Sequence, residues 1–226
     1  MVDVQQFCKL VDHTLLKPDA TQKQIEALCA EADRLQTRTV CVNGMWARAA
    51  AQALSASPVD VCSVVGFPLG AAALSALLAE TAGALEAGAS EIDMVIPLGY
   101  VKAAEWVQTR RYISGVRGVV PAGATLKVIL EAALLSDEEI VRACEVCVDA
   151  GADFVKTSTG FHPAGGATIH AVRLMRETVG PDVGVKAAGG IRTLPDAVAM
   201  LEAGASRLGL SATRALVAEL DPAFGR

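Results

Sequence analysis

The chain has 226 residues, 52% of them hydrophobic, 20% charged and only 4% aromatic. That is a globular composition, with a core built mostly from Ala, Val, Leu and Ile. Its formal net charge of −5 and its lack of any Lys/Arg run argue against nucleic acid and acidic membrane as partners. The opening residues Met1-Val2-Asp3-Val4-Gln5-Gln6 lack the basic and apolar regions of a secretory leader. Cys8, Cys29, Cys41, Cys62, Cys144 and Cys147 are scattered through apolar segments, a pattern that suits reduced thiols in a cytosol.

In chain order, a short apolar run at 10–14 reads as the first strand. Thr21-Gln22-Lys23-Gln24 then fits a helix-starting capping box. Runs at 39–42 and 59–65 read as the next two strands. Residues 61–79 carry no charge, which is about the length of a membrane span, but Gly66, Pro68 and Gly70 interrupt them. We read a buried strand, a turn, and an Ala/Leu-rich helix apolar enough to suggest a subunit contact. Further strands are expected at 91–96, 125–130, 154–157, 184–187 and 207–210. Glu86-Ala87-Gly88-Ala89-Ser90, Asp149-Ala150-Gly151-Ala152-Asp153 and Glu202-Ala203-Gly204-Ala205-Ser206 repeat one pattern. In each, glycine stands where a helix ends in a left-handed residue before a strand. Ser136-Asp137-Glu138-Glu139 starts another helix, and Thr193 before Leu194-Pro195-Asp196 starts a third. Cys144 and Cys147 have C-x-x-C spacing but sit inside a helical pattern with no second pair, so a zinc or redox role is not expected.

Strand–helix alternation implies a parallel sheet. Eight units predict an α/β fold, a single (β/α)8 TIM barrel over 1–226 as one domain, with its site at the C-terminal strand ends. The alternative is an open doubly wound sheet. Against it, no G-x-G-x-x-G follows an early strand.

Buried parallel strands should be almost unbroken Val, Ile and Leu. Five are interrupted by charge: Asp12, Asp93, Lys127, Lys156 and Lys186. Internal salt bridges are the plain explanation, yet five charges converging from five strands favour a site. Lys156 and Lys186 lie on consecutive strands. A lysine beside a second cation in a low-dielectric pocket gives up its proton more easily and can attack a carbonyl. The imine so formed is an electron sink for making or breaking an adjacent carbon–carbon bond. Gly189, Gly190 and Arg192 follow strand seven, and Gly209 and Ser211 end strand eight, where barrels frequently bind phosphate. His13 is a candidate polar ligand contact, while His162 and His170 read as surface residues. No Asp/His/Glu cluster has convincing metal-ligand spacing, which argues against metal-dependent chemistry.

The segments Asp12-His13-Thr14-Leu15-Leu16-Lys17-Pro18, Val40-Cys41-Val42-Asn43, Val65-Gly66-Phe67-Pro68-Leu69-Gly70 and Glu91-Ile92-Asp93-Met94-Val95-Ile96 resemble the deoxyribose-phosphate aldolases. So do Lys127-Val128-Ile129-Leu130-Glu131, Lys156-Thr157-Ser158-Thr159-Gly160-Phe161, Gly165-Gly166-Ala167-Thr168 and Val185-Lys186-Ala187-Ala188-Gly189-Gly190-Ile191-Arg192-Thr193. The resemblance covers nearly the whole chain. It implies reversible cleavage of 2-deoxy-D-ribose 5-phosphate to glyceraldehyde 3-phosphate and acetaldehyde, without a cofactor. It implies Lys156 as Schiff-base lysine, Lys186 as the lysine that tunes it, and Asp93 in the proton relay. Asp12, Cys41, Lys127 and Thr157 would support or line the pocket. Gly160, Gly189, Gly190, Arg192, Gly209 and Ser211 would hold the phosphate. A cytoplasmic homodimer or higher homo-oligomer is expected. The chain departs from the family pattern at Pro97, where asparagine is usual, at Gly44, where proline often follows Cys-Val-Asn, and at Ala212, where a second serine is common. Another imine-forming aldolase, or a barrel that binds sugar phosphate without turnover, are the competing readings.

Overall fold

The computed structural model describes residues 3–221. Met1, Val2 and residues 222–226, which fall within the expected leader reading and domain span, lie outside the described residues. After a short α1 (Val4–Cys8), strands and helices alternate. They are β1 (Val11–Leu15), α2 (Gln22–Leu35), β2 (Thr39–Asn43), α3 (Ala47–Ala53), β3 (Asp60–Val65), α4 (Leu74–Glu86) and β4 (Glu91–Val95). Then come α5 (Leu98–Lys102), α6 (Trp106–Val119), β5 (Thr125–Ile129), α7 (Asp137–Asp149), β6 (Phe154–Lys156) and α8 (Ile169–Val179). β7 (Gly184–Ala188), α9 (Leu194–Glu202), β8 (Arg207–Leu210) and α10 (Thr213–Leu220) complete the chain. The eight strands pair in parallel in sequence order, and β8 returns to β1, closing the barrel. The fold is a (β/α)8 TIM barrel.

Local chemistry explains the boundaries. Gln24 Oε1 accepts from the Thr21 amide at 2.8 Å, and Glu139 Oε2 from the Ser136 amide at 2.8 Å. Thr193 Oγ1 accepts from the Asp196 amide, with Pro195 in the first turn. The three repeated glycines take the positive φ that ends their helices: 103° at Gly88, 80° at Gly151 and 109° at Gly204. The charge-free stretch divides as expected into β3, a turn with a cis Phe67–Pro68 bond, and α4. No helix among the described residues is long and apolar enough to cross a membrane.

Alternation along each strand sorts two environments. Ile92 and Met94 flank Asp93, and Leu126 and Val128 flank Lys127. These apolar neighbours join the main core between sheet and helices. The inward positions are different. Leu16, Cys41, Cys62 and Val64, capped by Phe67, form a small apolar cluster inside the barrel. Much of the remaining interior is ionic, and register fixes it: Asp93 pairs with Lys127, Lys156 with Lys186, and Lys186 with Arg207.

Candidate active site

Seven charged side chains meet inside the barrel. Lys127 Nζ lies 2.6 Å from Glu91 Oε2, 2.8 Å from Asp93 Oδ1 and 3.7 Å from Asp12 Oδ2. Arg207 reaches up from the start of β8 to Asp12 Oδ1 at 2.7 Å and Glu91 Oε2 at 3.0 Å. Lys186 Nζ donates to Asp93 Oδ2 at 2.7 Å and makes a close ion pair with Asp12 Oδ2, outside hydrogen-bonding angles. Lys156 Nζ donates to the same Asp93 Oδ2 at 2.7 Å. The two ammonium nitrogens share one oxygen and so lie no farther apart than twice that distance. The proximity expected from consecutive strands is therefore present.

The environments of these groups differ in kind. Burial by itself would raise the pKa of Asp93, but Lys127, Lys156 and Lys186 outweigh it and hold the carboxyl well below the usual carboxylate range. Burial likewise opposes ionisation of Asp12, and Lys186, Lys127 and Arg207 overcome it. Lys127 and Lys186 lose hydration, yet their carboxylates keep both ammonium groups charged far into alkali. A hydrogen bond with Cys62 lowers the pKa of Cys41, whereas burial pushes that of Cys62 well up.

Above this network opens a cleft of about 310 Å³ at the C-terminal end of the barrel. Of the residues singled out in the sequence, Lys156, Gly160, Gly189, Gly190, Arg192, Gly209 and Ser211 line it. Asp12, Asp93, Lys127 and Lys186 are fully buried beneath it, and Cys41 belongs to the inner apolar cluster. Thr157 does not line the cleft. Its hydroxyl donates to the Ala188 carbonyl at 3.0 Å and accepts from the Ala188 amide at 3.1 Å, stitching β6 to β7. His13 is not a ligand contact either. Alternation turns it away from the inward Asp12, and its ring bonds Thr213 and Glu31 outside the barrel. His162 and His170 are exposed, as expected.

Glycine shapes one wall of the cleft. Gly160, Gly189 and Gly190 have φ of 81°, 87° and 80°, a backbone conformation that L side chains rarely adopt. A Cβ on Gly166 would lie 2.2 Å from the Gly189 carbonyl oxygen, so only glycine lets the loops after β6 and β7 touch. The Ala167 amide seals that contact, donating to Gly189 O at 3.0 Å. Buried Glu131, at φ 54°, accepts from the Thr159 amide at 3.2 Å and from the Thr159 hydroxyl, holding the loop after Lys156. Across the mouth, Phe67 and Phe161 pack edge-to-face with centroids 5.2 Å apart.

Several of these residues escaped sequence reasoning. Glu91 shares the inward face of β4 with Asp93, two residues away, and that spacing was the available signal. Arg207 opens its strand and looks like an ordinary polar boundary. Lys17, exposed at the mouth beside the same cleft as Arg192, was legible only as part of a motif. A larger hollow of about 840 Å³ lies outside, between the 69–72 turn and α5–α6, and holds none of the converging charges. Cys41, Cys62 and Asp93 bring potential ligand atoms within 4.8 Å of one another, as do Asp12, Cys62 and Glu91. Lys127 Nζ already contacts members of both groups, lying 3.3 Å from Cys62 Sγ, 2.8 Å from Asp93 Oδ1 and 2.6 Å from Glu91 Oε2.

The family model described as DeoC/LacD family aldolase matches residues 7–219. A relative from Brevibacillus brevis, named deoxyribose-phosphate aldolase, is 51% identical over 209 residues, covering 92% of this chain and 94% of its own. One of the same name from Corynebacterium diphtheriae is 51% identical over 218 residues, with 94% and 95% covered. Among solved structures, the tetrameric deoxyribose phosphate aldolase of Aeropyrum pernix superposes with a TM-score of 0.90 at 34% identity, covering 96% of this chain and 92% of that one.

Proposed function

The chain belongs to the DeoC/LacD aldolase family, and on that premise we propose that Lys156 is the Schiff-base nucleophile with which it cleaves 2-deoxy-D-ribose 5-phosphate. The activity is that of a deoxyribose-phosphate aldolase, a carbon–carbon lyase. One observation carries the assignment of the nucleophile. The interior network holds four basic groups (Lys127, Lys156, Lys186, Arg207) against three carboxylates (Asp12, Glu91, Asp93), while the half-exposed Arg38, 3.6 Å from Glu91, is matched by Asp60 at 3.1 Å. It reaches neutrality when one base gives up its proton. Arg207 cannot do so near neutral pH. Lys127 and Lys186 each pair with more than one carboxylate, whereas among the described residues Lys156 pairs with Asp93 alone. It is also the member that opens onto the cleft.

The chemistry follows from that placement. The Lys156 amine adds to the aldehyde carbon of the open-chain sugar, and loss of water gives a protonated imine. The hydroxyl on the third carbon then loses its proton, and the bond between the second and third carbons breaks. Its electron pair moves into the imine, releasing glyceraldehyde 3-phosphate and leaving an enamine. Protonation of the enamine and hydrolysis give acetaldehyde and restore the amine. Asp93 and Lys186, which meet at Asp93 Oδ2, orient the water that carries the travelling proton, a role worth about 10²–10⁴-fold in rate. Asp12 and Lys127 fix Asp93 from below. The glycines of the 160 and 189–190 loops, with Arg192, Gly209 and Ser211, take the phosphate. Cys41 packs the wall beneath, and Thr157 supports from behind the sheet.

Borohydride reduction in the presence of acetaldehyde tests the reading. We expect one N-ethyl group on Lys156 by peptide mass spectrometry, and none in Lys156→Ala. Turnover of that variant should fall at least about a thousandfold, roughly 4 kcal/mol of barrier. An adduct on Lys127 or Lys186 instead would overturn the assignment. The barrel serves as one catalytic domain. The tetrameric Aeropyrum pernix relative supports self-association for this chain as well, and the apolar α4 is the expected contact, for which sedimentation is the check. The buried free thiols support a reducing, cytosolic location.

A further inference from the structure

The structure assigns to His13 and Thr213 a positioning role: together they hold the β8–α10 turn in place for the substrate's phosphate. His13 is on the outer face of β1, paired in register with Leu210 of β8, and is only 4% exposed. Its Nδ1 lies 2.8 Å from the hydroxyl of Thr213, the fully buried first residue of α10. That hydroxyl also lies 3.4 Å from the Leu210 carbonyl. On the other side, His13 Nε2 faces Glu31 Oε1 of α2 at 3.4 Å. A chain of polar contacts thus runs from α2 through β1 to the turn between β8 and α10. Gly209 and Ser211, which line the cleft, lie in and beside that turn.

The neighbouring elements show why this turn needs outside support. The helices after β6 and β7 are capped by their own side chains, Thr168 accepting from the Ala171 amide and Thr193 from the Asp196 amide. At α10 the capping position is Ala212, which has no side-chain hydrogen bond to offer. The turn before α10 therefore lacks the side-chain cap that its two neighbours have, and is tied within itself only by backbone and by the Thr213 hydroxyl donating to the Leu210 carbonyl. His13 and Thr213 supply the fixing from β1. Neither side chain lines the cleft, so their effect passes through the position of Ser211.

The inference rests on the reading of this cleft as the phosphate site, and its test separates the two. Turnover would be measured on 2-deoxyribose 5-phosphate and on unphosphorylated 2-deoxyribose. For Thr213→Val and for His13→Leu we expect KM for the phosphorylated sugar to rise about tenfold, the equivalent of one lost well-placed hydrogen bond. kcat should stay within about a factor of two, and kcat/KM for the unphosphorylated sugar should not change. Thr213→Ser and His13→Asn, which keep a hydrogen-bonding atom in place, should recover most of the loss, and they carry the test if the apolar variants fail to fold. Equal losses on both sugars would show a purely structural contact and overturn the proposal, as would no change on either. Arg192→Ala and Ser211→Ala are the controls. If they raise KM for the phosphorylated sugar and Thr213→Val does not, the positioning role alone is wrong. If they too fail to separate the sugars, the phosphate reading fails first.

Discussion

At the scale of the residue, the decisive quantity is the balance of charge around Asp93. Its two oxygens meet three lysines, so the network around it carries one more base than it has carboxylates. Lys186→Met removes the surplus, leaving three bases matched to three carboxylates. The pH at which cyanoborohydride trapping of acetaldehyde is half-maximal should rise by about one unit or more, a tenfold or greater slowing on the acid limb. Lys186→Arg keeps the charge and should leave that midpoint nearly in place. An unchanged midpoint in Lys186→Met would sink the charge-balance argument. Removing one partner of a buried pair costs about 3–5 kcal/mol, so the comparison belongs at low temperature. The same contrast explains what the sequence made legible. Asp93, Lys127, Lys156 and Lys186 stood out because a charge between Val, Ile and Leu is conspicuous. Glu91 and Arg207 stand at the first positions of their strands, where polar residues are ordinary, so their part in the network was hidden. His13 was misjudged because adjacency in sequence to Asp12 means the opposite face in a strand. Thr157, singled out through its motif, stands next to the inward Lys156 and bonds the Ala188 backbone instead of lining the cleft.

At the scale of the element, the barrel's strands and caps were readable because each rests on local chemistry. The expected strand ends differ from the observed ones by about a residue, and the reason is physical. Ile96, Leu130 and Thr157 fall outside their strands, yet their amides still donate to the next strand's carbonyls at 3.0, 2.8 and 3.0 Å. The ladder fades rather than stops. Ser136→Ala, which breaks the capping box of α7, should cost about 1 kcal/mol in urea unfolding and leave turnover intact. Contacts between elements were not readable. Gly184 gives no sign in sequence that it faces an aromatic ring, but a Cβ there would lie 2.1 Å from Phe154 Cε1. That ring sits under the Arg207 guanidinium, 5.2 Å from its centroid, and so forms part of the barrel's floor. Gly184→Ala should cost about 1–3 kcal/mol through overpacking. Adding Phe154→Leu should recover part of it. Two losses that simply add would show that the ring is not the obstacle.

At the scale of the whole molecule, an ionic interior and a thiol-bearing core together set the pH range over which the barrel is stable. Asp12 and Asp93 have folded-state pKa values below their ordinary 3.8. Their contribution is complete above that value and is lost as pH falls through the lower, folded one. Lys186 has a folded-state pKa above its ordinary 10.5, so its contribution is complete below 10.5 and fades only at higher pH. The lysines do not set the alkaline edge, however. Burial pushes Cys8 and Cys29 up from 9.0 to about 11 and Cys144 to about 12, and raises Cys147 well above 9.0. In the unfolded chain these thiols ionise from about 9 upward while the folded core still holds them neutral, so stability falls from there. The barrel should therefore show a flat unfolding free energy between about pH 4 and about pH 9, with a fall on each side. Urea midpoints across that range provide the measurement. Cys144→Ala with Cys147→Ala should make the alkaline fall shallower while leaving the acid edge unmoved. Stability that failed to fall on the acid side would mean that the interior carboxylates titrate near their ordinary values, and the network around Asp93 would not be ionised as described.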